Sequence, residues 1–267
     1  MNKFSRIETF LIQFLRHEVQ KIGFNKVVLG LSGGIDSAVV ALLAKKALGN
    51  NLLCIMMPST QSSPQSIKDA KDLCHMHDLP YEVIPIGSLV ENYNKTQNLT
   101  PLRRGNFAAR MRMAVLYDIS ARENALVLGT TNKSELLLGY GTLHGDLASA
   151  INPIGDMYKS DIFPLARHLG VSEAIISKPP SADLWEGQSD EEELGYTYAQ
   201  IDQFLKAFVD ERATKEELIN RGFDPDLCEM VTKRIYNNQF KRLPPIIAKL
   251  SERTIGHDFL NMRELKN

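Results

Sequence analysis

Gly30-Leu31-Ser32-Gly33-Gly34-Ile35-Asp36-Ser37 joins an apolar, β-branched segment, Lys26 to Leu31, to small and aliphatic residues beginning at Ala38. That order reads as a strand, a glycine turn and a helix N-terminus. Unpaired backbone N–H groups and the positive end of a helix dipole meet there, which makes an anion site. Gly33 and Gly34 let the backbone approach a phosphate closely, and Ser32 and Ser37 add hydroxyl donors. Asp36 is the odd member, because a carboxylate repels phosphate unless Mg²⁺ lies between them. The chemistry indicated is polyphosphate plus a divalent cation. No lysine follows the second glycine, so the GxxxxGK[ST] loop is excluded, and GxGxxG is absent as well. The competing reading is a plain glycine turn in which Ser or Asp caps a helix.

A second group begins at Gly129-Thr130-Thr131-Asn132-Lys133-Ser134-Glu135 and runs on to Asp146. Asn132 and Glu135 have capping-box spacing, so Glu135 is either a helix cap or a second metal ligand beside Asp36. Gly139, Gly141 and Gly145 describe a sharply bent loop that approaches a ligand, and Asp146 ends it as a turn cap or a catalytic carboxylate. Ser160 is placed to cap a helix, while Lys159 is either a surface lysine or a point charge for phosphate.

Elements must bring these groups together. Ile7, Phe10, Leu11, Phe14 and Leu15 follow helical spacing. Strand-like runs recur at 26–31, 52–57, 81–86 and 125–129, with helices expected at 38–48, 64–78 and, after an Arg103-Arg104-Gly105 turn, 106–121. Near-continuous apolar strands alternating with helices predict an α/β fold, a doubly wound, Rossmann-like parallel sheet. Ligands in such sheets lie beyond the strand C-termini, where 32–37, Pro58-Ser59 and Thr130 converge. The second half lacks clear strands; helices are expected at 160–169, 198–211, 214–221 and 225–239. The chain reads as a single domain over 1–267, with its core about 22–180 and a helical C-terminal part about 190–250. Residues 178–193 read as a lid, with Pro179 and Pro180 at its entry, an acidic helix start at Asp190, and Trp185 as either its anchor or part of the core.

Composition narrows the class. Of 267 residues, 43% are hydrophobic and 24% charged, ordinary for a globular chain. A net charge of −1 gives no general attraction to nucleic acid or an anionic membrane, and no apolar run approaches the ~20 residues that span a bilayer. Met1 to Phe14 carries no signal-peptide pattern. Three widely separated cysteines indicate neither a disulfide framework nor a CxxC zinc site. A cytoplasmic enzyme is the expectation.

SGGIDS resembles the pyrophosphate-binding loop of the adenine-nucleotide α-hydrolase superfamily. With GNFAARMRMAVLY (105–117), GTTNKSELLLGYGTLHGD (129–146), NPIGDMYKS (152–160) and PPSADLWEGQSDEEELGYTYAQID (179–202), the chain closely resembles the NAD⁺ synthetases over roughly residues 5 to 250. The resemblance implies ATP-dependent amidation of deamido-NAD⁺ with ammonia through an acyl-adenylate, releasing AMP and pyrophosphate. It implies that 30–37 bind ATP, with 32–37 holding its pyrophosphate, that Asp36 and Glu135 bind Mg²⁺, and that Thr130, Lys159 and Ser181 contact ATP. Arg110 and Lys241 match positions that contact deamido-NAD⁺, although Arg104 and Arg112 are near neighbours of the first. Asp146 matches the carboxylate near the incoming ammonia. Leu143 and Ala150 stand where some members carry Lys and Asp. Family members are homodimers with the substrate site near the subunit interface. Asn2 and the surroundings of Cys54, Cys74 and Cys228 supply no glutaminase nucleophile, so free ammonia is the expected nitrogen donor. A tRNA-modifying relative would carry paired cysteines or a basic extension, absent here, and a non-catalytic ATP sensor would not need Asp36, Glu135 and Lys159 together.

Overall fold

The computed structural model describes residues 2–181, 188–256 and 258. Four parallel strands, β1 (Lys26–Gly30), β2 (Leu52–Met56), β3 (Tyr81–Val83) and β4 (Ala125–Leu128), form one sheet in the order β3-β2-β1-β4. Successive residues of a strand face opposite sides. Val27 and Leu29 accordingly join one buried cluster with α1 (Lys3–Lys21), α2 (Ile35–Leu48), α3 (Pro64–Met76) and α7 (Lys159–Leu169). Val28 joins another with α4 (Gly87–Gln97) and α5 (Pro101–Glu123). Helices on both faces are why strands β1, β2 and β4 are apolar over nearly their whole length. The doubly wound α/β expectation holds.

Connection order then places the site. The chain adds β2 and β3 on one side of β1, then returns to add β4 on the other. The carboxyl ends of β1 and β4 therefore flank the reversal point, where a crevice opens. The short α8 (Glu173–Ile176) packs with the sheet cluster, while the helical part comprises α6 (Lys133–Leu138), α9 (Asp190–Leu194), α10 (Tyr198–Leu205), α11 (Lys215–Asn220) and α12 (Pro225–Asn237). Leu138, Tyr158, Tyr198, Phe204 and Val231 make its core, so α6 ties it to the end of β4.

Three expectations need correction. The third strand runs only to Val83 rather than 86, although Ile84 and Ile86 still donate to the Met56 and Pro58 carbonyls; Pro85 between them falls on the side of this edge strand that has no neighbour. Arg103-Arg104-Gly105 is helix, not turn: Thr100 accepts the Arg103 N–H as N-cap, Pro101 takes the first position, and Gly105 is buried within α5. Ser160 does not cap α7, whose N-cap is Tyr158; the Ser160 N–H donates instead to Asp202 Oδ2 of α10 at 2.7 Å. The sequence pattern does not announce α4, since Val90 is its one buried residue and leaves little apolar periodicity. The Thr214–Glu217 capping box and Pro225 at a first helical position are as expected. Residues 182–187, including Trp185, lie outside the described residues, and with them the middle of the expected lid. At its margins the Asp190 N–H donates to the Pro180 carbonyl at 3.0 Å, and the acidic helix start is α9.

Candidate active site

A cleft of about 720 Å³ opens beyond β1 and β4 and is lined by residues 30–37, Thr130, Glu135, Asp146, Lys159, Ser181 and Lys241. Arg110 is not among its lining residues; it is exposed on α5. Positions 110 and 112 lie two apart on a helix and so face different ways; Arg112 is the one that lines the cleft, donating to the Met57 carbonyl and Ser62 Oγ.

The glycine–serine loop is held by its own hydroxyls. Ser37 Oγ donates to the Gly34 carbonyl at 3.0 Å and lies 3.1 Å from Ser32 Oγ, while the Gly34 N–H donates to Ser32 Oγ at 3.2 Å. Gly34 is the N-cap of α2 and offers no side-chain hydrogen bond to its first turn, whose donors face the cleft end of the sheet. Gly33 has φ +82°, and a Cβ there would stand 2.1 Å from the Ser66 carbonyl oxygen of α3. Only glycine fits this approach.

Two carboxylates converge on one ammonium. Lys159, at the start of α7, is paired with Asp36 Oδ2 and with Glu135 Oε1 at 3.4 Å, and its side chain is only 4% exposed. Its Nζ also sits 5.5 Å from the Tyr198 ring centroid. Asn132 joins the pair from behind: its Nδ2 donates to Asp36 Oδ1 at 3.0 Å, and its backbone N–H to Glu135 Oε2 at 3.2 Å. Both readings of Glu135 hold at once, because one oxygen closes the capping box of α6 and the other faces Lys159. Burial, reinforced by Asp36, pushes the Glu135 carboxyl up to about 8 against the Lys159 charge that lowers it. The Lys159 ammonium is held above its usual range by Asp36 and Glu135, which outweigh the desolvation that lowers it. Lys159 is thus a buried cation, not a surface lysine. Its position is set by Ser134 Oγ, which accepts the Lys159 N–H at 2.9 Å and donates to Asp202 Oδ1 at 2.5 Å.

The loop after α6 carries the third group. Asp146 Oδ1 accepts the Thr142 N–H at 2.9 Å, closing the turn, yet the residue is open to the cleft. Protein around its remaining sides pushes its carboxyl above the usual range, against the Thr142 amide and Lys241, which lower it. Lys241 Nζ donates to the Gly139 and Gly141 carbonyls at 2.7 and 3.0 Å, and burial lowers its pKa. Arg110 Nε donates to the Leu143 carbonyl at 3.2 Å, so both expected substrate contacts grip this one loop. Sequence reading overlooks the tie from Asn132 to Asp36, although Asn–Glu spacing at a strand end marks it. It also overlooks Asp202 and Lys178, which reach the site through contacts with no local signature.

Residues 7–245 match the NAD synthase family. The NH(3)-dependent NAD(+) synthetase of Chlorobaculum tepidum is 51% identical over 260 residues, 97% of this chain and 94% of that one. Among solved structures, an NH3-dependent NAD synthetase from Campylobacter jejuni in complex with the nitrate ion superposes with a TM-score of 0.80 at 42% identity, over 93% of this chain and 100% of that one. An NMN synthetase from Francisella tularensis gives 0.83 at 32% identity, over 94% of this chain and 100% of that one. A glycine loop, a lysine between two carboxylates and this fold stand together with those matches, and the chain belongs to the NAD synthase family.

Proposed function

We propose that this chain is an ammonia-dependent ligase that converts deamido-NAD⁺ to NAD⁺ with ATP, giving AMP and pyrophosphate. The observation that carries the reading is the convergence of Asp36, Glu135 and Lys159 beside the glycine–serine loop. A carboxylate is a poor acyl donor, so its oxygen first attacks the ATP α-phosphorus and the bond to the β-phosphate breaks. Donors of residues 30–37 and the Lys159 ammonium meet the charge that gathers on the leaving pyrophosphate. Thr130 and Ser181 contact ATP from the strand ends and the far wall. Neutral ammonia then attacks the acyl carbon, AMP leaves with the electron pair of the C–O bond, and Asp146 accepts the proton lost by nitrogen.

Asp36 and Glu135 fit a Mg²⁺ ion. Both are oxygen donors that face one point, held by the Lys159 ammonium in this structure, so an ion beside it would share them with that lysine; no cluster of three or more such ligands occurs among the described residues. A pair of carboxylates supplemented by water and phosphate oxygens is the donor set Mg²⁺ favours. When bound, the cation neutralises phosphate charge on the leaving group. Lys241 meets deamido-NAD⁺ from within the cleft. Arg110, outside it, meets the substrate of a second subunit in a homodimer; Leu89, Tyr93 and Tyr117, exposed on α4 and α5, furnish apolar surface nearby. No described helix is long and apolar enough to cross a membrane, and the three cysteines are free, which suits the reducing cytoplasm.

The Francisella NMN synthetase favours a second reading, amidation of the corresponding mononucleotide. Product analysis with ATP, Mg²⁺, ammonium and either acid decides. NAD⁺ with equimolar AMP and pyrophosphate supports the proposal, and turnover of the mononucleotide alone replaces it. Release of ADP and phosphate removes both. Equal or better activity with glutamine, in a preparation free of any amidase, removes the ammonia assignment.

A further inference from the structure

Lys178 stands at the cleft wall, two peptide bonds before Pro180, and its charge has no place in the reaction as described above. Its Nζ is paired with Asp69 Oδ2 of α3 and lies 3.3 Å from the Gly33 carbonyl oxygen, to which it donates. Asp69 is 4% exposed, and its other oxygen accepts Gln65 Nε2 at 2.7 Å, so the carboxylate is fixed within α3. Three distant segments therefore meet on one ammonium: the phosphate loop, α3 and the root of the loop that leads to Ser181.

The loop needs such a fixture. The peptide between Gly33 and Gly34 is flanked by two residues without Cβ atoms, so it can turn over at little steric cost. In one orientation the carbonyl is drawn back to Lys178, and the trans geometry sends the Gly34 N–H the opposite way, where it meets Ser32 Oγ. In the other, a carbonyl oxygen would face the phosphates and repel them. We propose that Lys178, fixed by Asp69, is a positioning residue that holds the Gly33–Gly34 peptide with its carbonyl turned away from pyrophosphate and its N–H on Ser32 Oγ. The ion pair with Asp69 cancels most of the lysine charge at a distance, so the effect is one of orientation. This rests on the reading of residues 30–37 as the pyrophosphate site.

Calorimetric binding of inorganic pyrophosphate with Mg²⁺ to the full chain tests the proposal without requiring turnover, and steady-state kinetics and thermal melts accompany it. Lys178→Met is expected to weaken pyrophosphate binding and raise the KM for ATP by about 10-fold or more, the scale of one lost hydrogen bond to a charged group. The KM for deamido-NAD⁺ should stay within about 2-fold and the melting temperature close to wild type. Asp69→Asn should weaken pyrophosphate in the same direction, and Lys178→Arg, which still reaches both acceptors, should recover most of the loss. Wild-type pyrophosphate binding in Lys178→Met overturns the proposal. So does an unaffected Asp69→Asn beside a defective Lys178→Met, which would make Lys178 a direct charge contact. If wild type binds pyrophosphate and the variants lose it while no acid is amidated, the positioning role stands and the assigned reaction falls. Should Lys178→Met fail to fold, Asp69→Asn and Lys178→Arg decide alone.

Discussion

Asp36 carries two bonds of different kinds, one to the neutral Asn132 amide and one to the Lys159 ammonium. Asp36→Asn keeps the first and removes the charge from the second, while Glu135→Gln keeps the capping box, since glutamine serves at that position. Initial rates should fall about 10²-fold or more in each variant, the scale of losing one charge-stabilising group, with the helix ends intact by circular dichroism. Near-normal turnover in either would remove that residue from the metal site. Asp146 separates chemistry from stability. Its carboxyl is raised, so the protonated form suits the fold, and its contribution to stability is complete below the unfolded pKa and lost as pH rises through the folded one. Asp146→Asn should therefore melt no lower than wild type at alkaline pH. The rate at limiting ammonium, by contrast, should rise with pH in wild type as Asp146 ionises and free ammonia increases. The variant should show a higher KM for ammonium with ATP binding unchanged. A lowered melting temperature with unaltered ammonium dependence would make Asp146 a turn residue only. From sequence alone Glu135 and Asp146 stay open between cap and ligand, because a carboxylate has two oxygens: those of Glu135 serve a cap and Lys159, and Asp146 Oδ1 closes its turn while the residue is open to the cleft.

At the scale of elements, legibility follows how local the cause is. The glycine–serine loop is plain, since its strand, turn and helix are consecutive and Gly33 is required by a backbone contact. Lys159 is not, because its burial comes from α6 and α10, contributed by residues far along the chain. Arg110 and Arg112 cannot be told apart from sequence either: both fall within the helix expected at 106–121, and which of its faces meets the cleft is set by how α5 packs against β1 and β4. Gly33 offers a test with an internal control. Gly23 has a comparable φ of +93° but open space within 4 Å of where a Cβ would stand, whereas at Gly33 the Ser66 carbonyl blocks it. Alanine at either site should cost about 1–3 kcal/mol of backbone strain in chemical denaturation. Only Gly33→Ala should also raise the KM for ATP steeply, as the loop shifts away from α3. Equal kinetic effects of the two would mean that the close approach to Ser66 is irrelevant to nucleotide binding.

For the whole molecule, the cleft is a meeting of two cores. The sheet and its helices supply residues 30–37, and the helical part, anchored through Asp202 and Tyr198, supports Lys159 from the other side. Arg110 stands apart from that arrangement, on an exposed face of α5 that Tyr117 shares two turns later. If Arg110 serves its own cleft, it acts through the Leu143 carbonyl that it holds. If it serves a partner's cleft in a two-fold homodimer, defects in Arg110 and Asp146 must complement across chains. Arg110→Glu and Asp146→Asn protomers, each expected to be defective alone when assayed at limiting ammonium, are to be co-expressed in equal amounts. Random pairing makes about half of the dimers mixed, and in each of these one cleft has an intact Asp146 and an intact Arg110 from the other chain. About a quarter of all clefts are then whole, and activity near a quarter of wild type is the expected result. Absence of recovery, with mixed dimers verified by mass spectrometry, would assign Arg110 to its own subunit and leave its role confined to holding the glycine loop.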